Sequence, residues 1–134
     1  MAFKFNEFMR RLADEIGGQF SEYDTSKSVI IVPLQENRFQ AVLGLVKYDE
    51  KFNKTGVVFS SKVCKETSDI NLKELLLENA KTSAAKFVIT DGYVKVEGSA
   101  FLENINENGL KEILIEVANK ADEWELKLTG LDVN

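Results

Sequence analysis

The segment Val29–Leu34 (Val-Ile-Ile-Val-Pro-Leu) is apolar throughout, unlike an ordinary strand of an antiparallel sheet. When helices cover one face of such a sheet, the other face usually carries polar residues. Val42, Val46 and Val58 add further apolar residues to the side that we expect to face solvent. Burying one Val or Ile side chain contributes about 1.5–3 kcal/mol, so either the helices are divided between both faces or another chain covers one. We favour a second copy of the chain, which predicts a homodimer.

Two further strands are predicted in the first half of the chain. Residues 38–48 alternate between apolar and polar or small side chains, the period of two that is typical of a strand with one buried face. The apolar set is predicted to face the core: Phe39, Ala41, Leu43 and Leu45. A polar link over residues 49–55 leads to a third strand over residues 56–65, and Pro33 places the end of the first strand at a sheet edge or a bulge.

Helical periodicity is found in three segments. Residues 4–17 carry apolar side chains at three- and four-residue spacing and end at Gly17-Gly18. Residues 71–81 are predicted to form a second helix, and residues 108–128 a third and longest one. The second helix has an apolar face that is predicted to turn inward: Leu72, Leu75, Leu76 and Ala80. Between these two helices, Asp91-Gly92 separates strands over residues 85–90 and 93–101, a pair that favours a tight hairpin because both turn positions need a positive φ.

These segments predict an α+β fold in the order α-β-β-β-α-β-β-α. The sheet is antiparallel, with about five strands and flanking helices. At 134 residues and 15.1 kDa, the chain is expected to form a single domain over residues 1–134.

The composition excludes several classes of function. The chain has no histidine and one cysteine, so the commonest metal ligand and general base are missing and no zinc-binding pair of thiols exists. The net charge is −5, and the densest basic run, Arg10-Arg11, is flanked by acidic residues, so nucleic-acid binding is not expected. No stretch resembles a secretory signal or a membrane span, and we expect a cytoplasmic protein. We predict no catalytic, cofactor-binding or metal-binding residue, and no cofactor.

Three features could still carry chemistry or binding. Asp122, Glu123 and Glu125 form a carboxylate cluster that is interpreted as a solvated helix face rather than a catalytic pair. Cys64 is predicted to share a face with Val58, Ser60 and Lys62, and is interpreted as a buried or idle thiol because no base is available to activate it. Phe52 lies in a polar link and either folds beneath the hairpin, which we favour, or is presented to a partner.

The second half of the chain resembles the type III secretion chaperone-like superfamily, including its YbjN-type relatives, over residues 72–124. The shared positions are Leu75-Leu76, Asn79-Ala80, Phe87, Gly92, Val94, Leu110, Val117-Ala118 and Ala121-Asp122. The resemblance implies a small, acidic, dimeric bacterial protein with no catalytic residues. Chaperones of this superfamily hold an extended partner segment on apolar patches of their helix and sheet surfaces, whereas YbjN-type proteins are often of undefined biochemical role.

The leading hypothesis is therefore a non-enzymatic chaperone-like module that holds a partner polypeptide. A small-ligand sensor or regulatory domain is the alternative, and a histidine-free enzyme using carboxylates or Cys64 is the third possibility. The sequence leaves open which apolar face would bind a client and which would form a dimer.

Overall fold

Residues 3–130 are described by a computed structural model of the chain. They form three helices and six strands, apart from two short 3-10 turns. In chain order these are α1 (Phe5–Ile16), β1 (Gln19–Asp24), β2 (Lys27–Pro33), β3 (Phe39–Asp49), β4 (Lys54–Lys65), α2 (Leu72–Asn79), β5 (Lys86–Thr90), β6 (Tyr93–Phe101) and α3 (Glu107–Thr129).

The six strands form one antiparallel sheet in the order β1-β2-β3-β4-β6-β5. This confirms the predicted α+β class, with one more strand than expected. The additional strand, β1, has the sequence Gln-Phe-Ser-Glu-Tyr-Asp and is mostly exposed, so it lacks the apolar run that identifies a buried strand. In β2, the pairing with β1 ends at Ile31. Pro33 therefore has no partner in β1, and its missing N–H costs no hydrogen bond to that strand.

Helices α1 and α3 both pack against one face of the sheet, and two strand glycines mark where they approach. A Cβ added at Gly44 in β3 would lie 2.7 Å from Met9 Cε and 2.8 Å from Phe5 Cζ of α1. A Cβ added at Gly98 in β6 would lie 2.7 Å from Ile113 Cγ2 of α3. Each glycine therefore lets a helix come closer to the sheet than any other residue would allow.

The predicted orientation of β3 is wrong. Gln40, Val42 and Gly44 are fully buried or nearly so on the side of the helices, whereas Ala41 and Leu43 lie on the opposite face. Both sides of this strand offer apolar residues, so alternation alone did not fix the orientation. Gly44 lies on the helix side, where α1 approaches too closely for a side chain.

Gln40 occupies a core position through hydrogen bonds. Its Nε2 donates to Ser61 Oγ at 2.9 Å and to the carbonyl oxygen of Lys62 at 2.8 Å, and Ser61 Oγ donates to the carbonyl oxygen of Ala41 at 2.7 Å. These bonds link β3 to β4 within the core and satisfy the amide nitrogen, whereas Gln40 Oε1 is buried without a hydrogen-bond partner in residues 3–130.

The second hairpin and its edge follow the prediction in part. Asp91 and Gly92 have φ values of 54° and 77°, so the predicted tight turn is confirmed. Asn79, at the end of α2, lies beside the edge strand β5: its Oδ1 accepts from the Phe87 N–H at 2.6 Å and its Nδ2 donates to the Phe87 carbonyl at 3.3 Å. The side chain of Asn79 thus occupies the place of a neighbouring strand at this edge.

Candidate functional site

The face of the sheet opposite α1 and α3, called here the open face, has an apolar centre with no helix over it in residues 3–130. The strand register places half-buried apolar side chains at its centre: Val29, Ile31, Ala41, Leu43, Leu45 and Val58. Of the residues that the sequence analysis assigned to the solvent side, Val42 and Val46 instead lie on the helix side, and Val58 lies on the open face. An apolar sheet face outside the core is therefore present, as predicted, but it is formed by different residues of β3.

A shallow depression of about 360 Å³ lies at the centre of the open face. Apolar side chains of β2 and β3 meet Ser60 of β4 there, Tyr23 forms one side, and Lys62 and Lys95 form the other. Ser60 pairs with Leu43 across the strands, and Lys62 pairs with Lys95. The depression thus combines an apolar floor with two ammonium groups at its rim, a feature that the sequence alone does not indicate.

A second depression of about 370 Å³ lies further along the same face. Val58, Phe101 and Lys47 are among the residues that line it. Phe52, which we expected to fold beneath the hairpin, is 57% exposed, and its ring contacts that of Phe101 at a centroid distance of 6.1 Å. The apolar surface therefore continues from the centre of the sheet to the tip of the β3–β4 hairpin.

Helix α2 carries a second exposed apolar patch. Of the four residues predicted to face inward, only Leu75 is buried, while Leu72 and Leu76 are 41% and 69% exposed and Ala80 is also exposed. Leu77, 62% exposed, and Ile89 of β5, 44% exposed, are further large apolar side chains on or beside this helix. The prediction for α2 is right for Leu75 and wrong for the other three residues, because this short helix lies beside the edge of the sheet, where Leu75 and the hydrogen bonds of Asn79 hold it.

The carboxylate cluster of α3 is largely a structural element. Asp122 and Glu125 are buried, contrary to the interpretation as a solvated face, and only Glu123 is exposed. Arg38 Nε donates to both oxygens of Asp122 at 3.0 and 3.1 Å, and its Nη1 reaches Glu36 at 2.9 Å. The cluster thus attaches the second half of α3 to the β2–β3 turn.

Cys64 does not share a face with Lys62. A β-bulge between Lys62 and Cys64 shifts the register, so that Cys64 pairs with the buried Val94 and packs against the core. Burial, with the negative charge of Glu125 as a second cause, raises the pKa of the Cys64 thiol. Such a thiol stays protonated at neutral pH, which agrees with the interpretation as an idle side chain.

Lys120 and Glu116 of α3 bind the segment before β5 rather than each other. Lys120 Nζ donates to Thr82 Oγ1 at 2.8 Å, and Glu116 Oε1 accepts from the Ala85 N–H at 2.7 Å. Burial, followed by the charge of Lys86, lowers the pKa of Lys120. These contacts hold the β5 edge against α3.

No metal-binding cluster of acidic or cysteine side chains occurs in residues 3–130. Over the same range, no helix is long and apolar enough to cross a membrane.

Comparison with known proteins identifies a fold and no family. No protein-family model matches the sequence, and no curated protein matches it significantly. Among solved structures, a chain of the HopA1–SchA chaperone–effector complex is similar, with a TM-score of 0.55 at 13% sequence identity. The similarity covers 93% of this chain and 98% of that chain. The protein therefore shares its α+β fold with a chain of that complex over nearly its whole length.

Proposed function

We propose that the chain is a non-enzymatic, chaperone-like module that acts as one domain in the cytoplasm and holds a segment of a partner polypeptide. The observation that carries this proposal is the open face, whose apolar centre has no helix over it. The likeness in fold to a chain of a chaperone–effector complex supports it. A sheet surface with successive apolar positions suits an extended segment, whose alternate side chains point to the same side.

A second copy of the chain is proposed to pack on α2 rather than on the open face. Lys73 and Glu74 accompany the exposed leucines of α2, so two such helices present charges of both signs to each other. Among the charged residues of the open face lysines outnumber carboxylates, so two copies facing each other there would repel. The two apolar patches would then have separate roles, dimerisation at α2 and client binding at the open face.

Capture of a partner tests the client site. Wild-type protein and the Leu43→Ser and Ser60→Arg variants are used as baits in native lysate, with Glu112→Gln on the exposed side of α3 as the control. We expect a stoichiometric polypeptide with wild type and Glu112→Gln, and its loss with both open-face variants. A partner retained by both variants, while circular dichroism shows them folded, contradicts the proposed site.

A dimer at α2 is tested by sedimentation. Wild-type protein at tens of micromolar is expected to sediment as a dimer, and Leu76→Glu as a monomer. A monomeric wild type, or a dimer that Leu76→Glu leaves unchanged, contradicts this assignment.

The central depression also favours a second candidate function, a sensor of a small ligand, because its volume lies within the range of small-molecule sites. A thermal-shift screen distinguishes the two. A compound that binds only the folded state raises the melting temperature, and its effect should disappear in Leu43→Ser if it occupies this depression.

A further inference from the structure

The open face is positively charged although the protein as a whole is acidic. Seven lysines and three carboxylates are assigned to it by the strand register: Lys27, Lys47, Lys54, Lys62, Lys65, Lys86 and Lys95, and Asp24, Asp49 and Glu97. Its strand positions thus carry more lysines than carboxylates in a chain with a net charge of −5, although Glu103 and Asp91 of the adjoining turns pair with Lys54 and Lys95, and Lys86 Nζ donates to the carbonyl oxygens of Asn79 and Thr82. The excess acidic residues lie on the helices and in the loops.

Two of these lysines form a like-charge pair at the rim of the central depression. Lys62 and Lys95 lie directly opposite each other on β4 and β6, an arrangement that is unfavourable for an isolated sheet. Lys95 Nζ lies 3.6 Å from Asp91 Oδ2, a carboxylate on the exposed hairpin turn. Lys62 Nζ lies 4.3 Å from the centre of the Tyr93 ring, and within residues 3–130 it has no salt bridge. A carboxylate from outside the chain would neutralise the charge of Lys62, which Asp91 leaves uncompensated in this pair.

The position of the pair beside an apolar floor defines the chemistry of a ligand. Val29 and Leu43 can contact an apolar group in the depression, while Lys62 and Lys95 can bind a negatively charged group at its edge. The second depression continues the apolar surface along the same face, past Val58 towards Phe101. Two depressions in succession suit a chain molecule with repeated side chains better than one small molecule.

We infer that the segment held by the open face is acidic, with an apolar side chain in the central depression and an Asp or Glu side chain against Lys62 and Lys95. This inference rests on the proposed function and specifies its partner. Electrostatic complementarity of this kind selects among partners and makes binding dependent on salt.

A displayed random-peptide library tests the inference without assuming a partner. Peptides are selected on wild-type protein, and those that still bind Leu43→Ser are removed. We expect the selected peptides to be enriched in Asp and Glu next to apolar residues. Their affinity should fall roughly tenfold for Lys62→Gln/Lys95→Gln, since each lost charged contact weakens binding several-fold, and should be unchanged for the control Lys127→Gln on α3, whose side chain is 53% exposed.

Other outcomes separate the two proposals. Peptides that require Leu43 but show no acidic enrichment, or no loss with the double lysine variant, overturn the inference and leave the proposed function in place. A selection that yields no peptide dependent on Leu43 overturns both. If the protein binds no peptide but binds phosphatidylglycerol vesicles in a way that requires Lys62, the partner of the open face is a membrane surface and not a polypeptide.

Discussion

Two adjacent valines of β4 provide the sharpest test of which side of the sheet faces the helices. Val57 is fully buried on the helix side, whereas Val58 is half-buried on the open face. Replacing either by Thr keeps the shape and the preference for a strand but adds one hydroxyl group. At Val57 the hydroxyl is buried among apolar side chains, which costs about 1–3 kcal/mol without a hydrogen-bond partner. At Val58 it reaches water, and the expected cost is below about 0.5 kcal/mol.

Urea denaturation measures this difference directly. Trp124 is the only tryptophan of the chain and is 5% exposed, so its fluorescence reports the loss of the core. A loss of about 2 kcal/mol for Val57→Thr corresponds to a drop in melting temperature of roughly 6–10 °C for a domain of this size. Equal losses for the two variants, or a larger loss for Val58→Thr, would refute the assignment of the two faces.

Three further substitutions test individual contacts. Gly44→Ala should destabilise the protein by about 1–3 kcal/mol in urea denaturation, because the new Cβ would lie 2.7 Å from Met9 Cε. An unchanged midpoint of urea denaturation would show that α1 lies further from the sheet. Arg38→Met should lower the midpoint of urea denaturation, since Asp122 then stays buried without its cation, and Arg38→Met/Asp122→Asn should recover part of this loss. The raised pKa of Cys64 predicts slower reaction with Ellman's reagent at pH 8 in native protein than in urea; equal rates would contradict its burial. The pKa of the Cys64 thiol is higher in the folded protein than its ordinary value of 9.0. The contribution of this thiol to the free energy of unfolding is therefore lost as the pH rises from 9.0 through the folded pKa. Cys64→Ser should remove this pH dependence.

Periodicity and turn chemistry predicted most of the fold. The helix at residues 4–17, the Asp91-Gly92 hairpin and the long final helix all occur close to their predicted positions. Strand β1 was missed because an exposed edge strand needs no apolar run, so it leaves no hydrophobic pattern.

The orientation of β3 could not be read from alternation, because both of its sides carry apolar residues. Gly44 was the one signal available: a glycine inside a strand often marks a close approach by another element. Gln40 argued for the opposite orientation, and only its hydrogen bonds to β4 explain why it lies in the core.

The sequence predicted that the sheet has an apolar surface outside the core, but not which residues form it. The run Val29–Leu34 correctly indicated a sheet with apolar residues outside the core. The pairing of Lys62 with Lys95 depends on the register between β4 and β6, strands separated in sequence by α2 and β5. The outward position of Leu76 likewise depends on where α2 packs, which a helical pattern does not specify.

Site-specific photo-crosslinking in cells tests the central claim most directly. A benzoylphenylalanine residue is placed in turn at Leu43 on the open face, at Leu76 on α2 and at Glu112 on the exposed side of α3. We expect an adduct with a different polypeptide from position 43, an adduct with a second copy of the chain from position 76, and none from position 112. The absence of any polypeptide adduct from position 43, or an adduct of equal yield from position 112, would contradict the assignment of the open face as the client-binding surface.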